Sequence, residues 1–94
     1  METVSLKESL IIANIVACKK ALTDALEQYT DDFVLDLQDI QDCDSSGVQL
    51  LIATQKQAWT ANRKIVFKNY SEPILNACTI AGIENVDQYF ETNQ

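Results

Sequence analysis

Apolar residues alternate along the chain between short continuous runs and longer stretches at helical spacing. Continuous runs predict strands over 3–6, 33–37 and 64–70, with a short edge segment around 8–11. Helical spacing predicts helices over 12–29 and 46–62, and a third that starts at Ser71 and stops at Gly82. Strands that alternate with helices favour an α/β domain with a largely parallel central sheet.

The predicted helices have apolar faces that we expect to lie against this sheet. The first helix has apolar residues at Ile12, Ile15, Val16, Cys18, Leu22, Ala25, Leu26 and Tyr29. One face of the second carries Val48, Leu51, Ile52, Gln55, Trp59 and Asn62, with Trp59 as the expected anchor in the core. After Gly82, we expect the chain to return to the core through Ile83, Val86, Tyr89 and Phe90.

A polar segment joins the central predicted strand to the second helix, and it ends in Ser45-Ser46-Gly47. Ser46 with Gln49 three residues later matches a capping box, which predicts Ser46 as the helix N-cap with its hydroxyl at the surface. A phosphate there would meet unpaired N–H groups and the positive end of the helix dipole. Capping alone, worth about 1 kcal/mol, is the other explanation of this serine.

The run LDLQDIQDCDSSGVQLLIATQKQA resembles the central segment of STAS domains, the family that includes bacterial anti-sigma-factor antagonists. In that family a strand leads to Asp-Ser-(Ser/Thr)-Gly and a helix follows. The resemblance implies that Ser46 is the phosphoacceptor, flanked by Asp44, Ser45 and Gly47. It also implies one domain over 1–94 with its core at about 4–90. The implied fold is a small, mixed but mostly parallel sheet with helices mainly on one face, and one strand of the usual N-terminal pair is reduced or missing.

The same resemblance implies a regulatory module without enzyme activity, for which we state two hypotheses. In the first, unmodified Ser46 permits docking to a serine kinase or anti-sigma-factor-like protein. Phosphorylation then adds about −1.5 to −2 charges and blocks docking until a matching serine phosphatase removes the phosphate. In the second, the chain is a constitutive accessory subunit of an ABC-type lipid transporter and Ser46 only caps a helix.

The second helix also has a side with no carboxylate, although the protein is acidic. This side carries Leu50, Ala53, Thr54 and Gln57 beside Ser46, and it is predicted to be the partner-binding surface. A wide buried stripe would explain the same pattern, because apolar residues are common on both sides of such helices.

Seven basic and fourteen acidic side chains give a formal charge of −7, which disfavours nucleic acid and anionic membranes as partners. The N-terminal residues show no signal-peptide pattern and no segment is apolar enough to span a bilayer, so we expect a soluble, cytoplasmic protein. Its oligomeric state is open.

Other chemistries fit the sequence poorly. The chain has no His, which removes Ser-His and Cys-His catalysis and most catalytic metal sites. Asp42, Asp44 and Ser46 match the first half of an EF-hand loop, but Ala53 stands where that loop needs a glutamate. Only two glycines are present, too few for a phosphate-cradling loop, and a receiver domain would need an early acidic pair. We therefore expect no metal, no cofactor and no enzyme activity.

Three cysteines, at 18, 43 and 78, are too few and too widely spaced for a disulfide framework or a zinc site. Cys18 and Cys78 fall at apolar helical positions and are expected to be small core residues. Cys43 lies among carboxylates, which should disfavour a reactive thiolate.

Overall fold

Three parallel strands form the sheet in the computed structural model, which describes residues 1–83. They are β1 (Glu2–Ser5), β2 (Phe33–Asp36) and β3 (Ile65–Lys68), in the order β1-β2-β3. Val4 lies beside Leu35 and Leu35 beside Phe67, so the three strands are in a common register. The predicted α/β fold with a parallel sheet is confirmed. The predicted return of Val86, Tyr89 and Phe90 to the core lies outside the described residues.

Each strand is followed by a helix. Helix α1 spans Ile15–Gln28 after a short 3-10 turn at Ile12–Asn14, α2 spans Ser45–Thr60 and α3 spans Glu72–Ile80. Helix α2 packs against both α1 and α3, so it occupies the centre of the helical layer. The predicted second N-terminal strand is reduced, among residues 1–83, to a single parallel bridge between Leu10 and Cys43.

Alternation along the strands places the helices on one face of the sheet. Phe33 and Leu35 of β2, with Ile65 and Phe67 of β3, belong to the same buried cluster as the helix side chains. Successive strand residues point to opposite faces, so Val34 and Val66 lie on the other side. The helical layer and this face of the sheet therefore share the main core.

The inner face of α2 agrees with the predicted one over its first three turns. Val48, Leu51, Ile52 and Gln55 are buried. The expectation that Trp59 anchors the core is wrong, because Ala58 is fully buried and Trp59 is only half-buried. The centre of the buried arc is Gln55, whose side-chain amide donates to the Ile65 carbonyl at 2.7 Å and accepts from the Ile65 amide at 2.8 Å.

The prediction that Ile12 and Val16 belong to the buried face of the first helix is also wrong. Ile12 and Val16 are 65% and 80% exposed. The physical reason is that Leu10 is completely buried and takes the core position at this end of the layer. The chain then turns through the 3-10 segment, so the buried face of α1 begins only at Cys18.

The third helix has the predicted ends. Pro73 lies in its first turn, and Gly82 follows its last residues with φ of +77°, the left-handed conformation that glycine adopts easily. The Ile83 amide donates to the Cys78 carbonyl at 3.0 Å and closes the helix. Ser71 is the N-cap residue as predicted, but its hydroxyl donates to the Ile40 carbonyl.

Candidate functional site

The loops that follow β1 and β2 meet at the carboxyl edge of the sheet. The Leu10 amide donates to the Asp42 carbonyl, and the Asp44 amide donates to the Leu10 carbonyl, each at 2.9 Å. These two bonds form the bridge between Leu10 and Cys43. The start of α2 is therefore held against the segment that leads into α1.

Asp44 is the N-cap of α2, which corrects the prediction that Ser46 fills this role. One oxygen of its carboxylate accepts from the Gly47 amide at 3.1 Å, and the other accepts from the Ile12 amide at 2.9 Å. The Ile12 bond, followed by the Gly47 bond, keeps the pKa of Asp44 below its usual value because both favour the ionised form. The two donors are taken by separate oxygens of the carboxylate, whereas a serine hydroxyl offers a single oxygen.

Gly47 packs directly on Leu10. A Cβ at Gly47 would lie 2.1 Å from the Leu10 carbonyl oxygen and 2.6 Å from the Leu10 Cβ, both impossibly close. The glycine of the Asp-Ser-Ser-Gly motif is thus required by the close approach of two chain segments. Its own φ is not in the left-handed region.

The two serines occupy the first and second positions of α2. Ser45 is exposed and Ser46 is half-buried. The Ser46 backbone N–H lies close to the Asp44 carboxylate and, after the Ile12 and Gly47 amides, helps to lower the pKa of that group. A phosphate on Ser46 would add charge next to this carboxylate, in a helix terminus whose donors are partly used.

The predicted partner-binding residues divide into two groups. Ala53 and Gln57 are exposed, as expected of a docking surface. Leu50 is half-buried and packs against the core. Thr54 is 5% exposed, and its hydroxyl donates to the Leu50 carbonyl at 2.7 Å, so its prediction as a surface residue is wrong. Helical rotation explains the division, because Thr54 lies one turn from the buried Leu51 and Ala58.

The three thiols are not activated. Cys18 and Cys78 are buried as predicted, and burial raises the pKa of both. Cys43 is half-buried, and its pKa is raised to about 12, mainly by burial and to a smaller extent by other groups that include Asp44. The carboxylates are therefore the lesser cause. Within residues 1–83, no three His, Cys, Asp or Glu side chains are placed to hold a metal ion.

An open surface pocket lies at the opposite end of the sheet, before the strands begin. Asp32, Asn62 and Arg63 line it. The Arg63 guanidinium donates to the Leu26 carbonyl at 3.1 Å and to the Tyr29 carbonyl, so it ties the end of α1 to the loop after α2. This pocket is remote from Ser46, because Asp32 precedes β2 and Ser46 follows it.

Leu10 and Ile12 are parts of the site that sequence reasoning missed. They stand more than thirty residues from Asp44 in the chain, and no motif includes them. The available signal was topological, because loops that follow neighbouring parallel strands emerge at the same edge of a sheet.

Comparison with known proteins gives one family and a set of related folds. The family described as "Mlab, STAS domain" matches residues 2–88. The NMR structure of the protein TM1081 has 16% sequence identity and a TM-score of 0.70, over 98% of this chain and 72% of that one. No curated protein sequence matches the chain.

Two structures of an anion transporter contain the same fold. The murine Solute Carrier 26 family member A9 (Slc26a9), in its inward-facing state, has 15% identity and a TM-score of 0.71 over 92% of this chain. The overall structure of SLC26A9 has 14% identity and a TM-score of 0.73 over 95%. The chain spans only 14% and 17% of these two transporter chains. Among residues 1–83, no helix has the length and apolar character needed to cross a bilayer.

Proposed function

The chain belongs to the STAS domain family, and we propose that it is a protein-binding switch of the anti-sigma-factor-antagonist type, controlled by phosphorylation of Ser46. STAS domains are non-enzymatic modules that mediate protein–protein interactions. In the proposed cycle, unmodified Ser46 permits docking to a serine kinase or anti-sigma-factor-like partner through the α2 surface. Phosphorylation ends docking, and a serine phosphatase restores it.

The position of Ser46 carries this proposal. Its side chain is partly exposed at the second position of α2, on the side of the helix that continues to the exposed Ala53 and Gln57. A partner that covers Ala53 and Gln57 would also cover Ser46. A modification of the hydroxyl would therefore change the contact surface that this partner binds.

The surroundings of Ser46 explain why a phosphate would oppose docking. The added charge would stand beside the ionised Asp44 and would be covered by the partner together with the weakly polar α2 surface. Like-charge repulsion and the loss of hydration both disfavour this arrangement. Net charge would also become more negative than −7.

The test is phosphorylation in vitro by the purified anti-sigma-factor-type serine kinases of the same genome, with ATP and mass spectrometric mapping of the site. We expect phosphate on Ser46, none on a Ser46→Ala variant, and normal labelling of a Ser45→Ala variant. Phosphate on Ser45 with Ser46 unmodified would contradict the assignment. Absence of labelling by a set of kinases shown to be active would contradict the switch.

A constitutive accessory subunit of an ABC-type lipid transporter is the second candidate. The observation that favours it is that Ala53 and Gln57 are exposed one turn or more beyond the capping site, so this surface can bind a partner without any modification. In that case the chain would copurify with an ATPase and a permease. A Ser46→Ala variant would then copurify as well as the unaltered protein.

A further inference from the structure

Two large apolar side chains are exposed beside the proposed switch. Ile12, in the 3-10 turn, is 65% exposed, and Val16, four residues later in the first turn of α1, is 80% exposed. Ala13 and Ala17 between and beyond them are exposed too. Because the Ile12 amide is bonded to the Asp44 carboxylate, this Ile12–Val16 patch begins directly beside the first turn of α2.

The patch continues the proposed docking surface across two helices. Helices α1 and α2 pack side by side, and Gly47 touches Leu10, two residues before Ile12. Leu50 is one turn after Gly47 on the same flank of α2 and is only half-buried. Apolar side chains of both helices are thus available to one partner that docks over the helix starts.

Acidic side chains surround this end of the molecule. Glu8, Asp39 and Asp42 are exposed in the loops at the carboxyl edge, and Asp44 is ionised there. Lys7 and Lys68 are exposed basic residues at the same edge, and Lys19 is exposed on α1 one turn after Val16. On α1, Lys20 is paired with Asp24 at 2.8 Å. The loops at this edge therefore form a net negative rim on the Ile12 side of the patch, while Lys19 lies on its Val16 side.

We propose that the Ile12–Val16 patch binds a partner protein whose contact surface has apolar side chains flanked by Lys and Arg. The inference rests on the proposed function, since it extends the docking surface of that same site from α2 to α1. The negative rim selects the partner by charge. A second copy of this chain is disfavoured, because it would bring two acidic edges together in a protein of charge −7.

The probes are two synthetic amphipathic helical peptides of equal length, one of Leu and Lys and the other of Leu and Glu. Each is titrated into the isotope-labelled full chain while amide shifts are followed by NMR. We expect the Leu/Lys peptide to shift the amides of residues 12–17, and the Leu/Glu peptide to leave them unchanged. Added salt should weaken the binding, since the rim contacts are exposed charges.

A pair of variants with equal changes in charge tests the location. Val16→Lys should weaken the affinity for the Leu/Lys peptide about fivefold or more. Ile80→Lys is the control, because Ile80 is 82% exposed on a different helix, α3. The Ile80→Lys variant should bind the peptide as tightly as the unaltered chain does. Both side chains are exposed, so both variants should keep the melting temperature.

Three results would overturn the inference. They are shifts confined to other surfaces, equal binding by the Leu/Glu peptide, or equal weakening by Val16→Lys and Ile80→Lys. If the amide shifts of residues 12–17 changed with protein concentration in the absence of peptide, the patch would bind a second copy of the chain. That result would also overturn the inference. None of these measurements involves phosphate, so they fail or succeed separately from the labelling of Ser46.

Discussion

The Asp44 carboxylate accepts a hydrogen bond from the Ile12 amide at 2.9 Å and joins the start of α2 to the segment that enters α1. The same carboxylate caps α2 through the Gly47 amide. One side chain thus holds together two elements that are far apart in the sequence. Both the proposed switch and the Ile12–Val16 patch depend on where this side chain places them.

An ionised Asp44 should make stability depend on pH. Its folded-state pKa is lowered, so its contribution is present above the ordinary value of 3.8 and is lost as pH falls through the folded value. Asp44→Asn keeps one acceptor and loses the charge, and should cost about 1 to 2 kcal/mol at pH 7. Denaturation curves should show this difference shrinking below about pH 4. A difference that stays constant down to pH 2.5 would contradict the role of the charge.

Gly47 should not tolerate a side chain. Gly47→Ala would place its Cβ 2.1 Å from the Leu10 carbonyl oxygen, so helix and loop must separate at a cost of about 2 to 3 kcal/mol or more. Gly82→Ala is the matched control. That Cβ meets no atom within 4 Å, so only the strain of a positive φ remains, about 1 kcal/mol. Equal losses of melting temperature in the two variants would contradict the close contact at Leu10.

Ala53 is exposed and its neighbour Thr54 is buried. Substitution by Arg should therefore affect partner binding at position 53 and folding at position 54. Ala53→Arg should leave the free energy of unfolding within about 0.5 kcal/mol and abolish binding to the kinase that labels Ser46. Thr54→Arg would bury a charge and should unfold the protein. Unimpaired kinase binding by a folded Ala53→Arg protein, measured by calorimetry, would remove this surface from the proposed function.

Gln55 should be the polar residue whose loss costs most stability. Gln55→Leu leaves the amide and the carbonyl of Ile65 without their side-chain partner, at about 2 to 4 kcal/mol. Gln57→Leu, an exposed position on the same helix, should change stability by no more than about 0.5 kcal/mol. Urea denaturation measures the free energy of unfolding of both variants. A small loss in Gln55→Leu would show that the amide and carbonyl of Ile65 form hydrogen bonds with other groups.

The sequence pattern predicted the elements well because burial dictates periodicity. The three strands, the three helices and the end of α3 at Gly82 lie where apolar spacing and turn residues place them. Periodicity cannot say where a buried face stops along a helix. Leu10 fills the core at the start of α1, so Ile12 and Val16 are exposed although they continue the apolar spacing.

The turn between β2 and α2 lies where the sequence predicted it, but the N-cap of α2 was assigned to the wrong residue. The motif indicated the turn between β2 and α2, but a serine and an aspartate are both good N-caps, and local sequence does not rank them. The deciding contact is the bond from the distant Ile12 amide, which one oxygen of the Asp44 carboxylate accepts while the other accepts from the Gly47 amide. Likewise, the orientation of Thr54 depends on how α2 is rotated against its neighbours.

The parallel register has a consequence for the speed of folding. Glu2 pairs with Phe33 and Phe33 pairs with Ile65, so both ladders between the strands of residues 1–83 join segments roughly thirty residues apart. Two neighbouring strands can pair only when the segment between them brings its ends together. The loss of chain entropy in that step precedes the free energy gained from pairing. The chain should therefore fold more slowly than a helical bundle of its size, and during synthesis β1 must wait unpaired until β2 has left the ribosome.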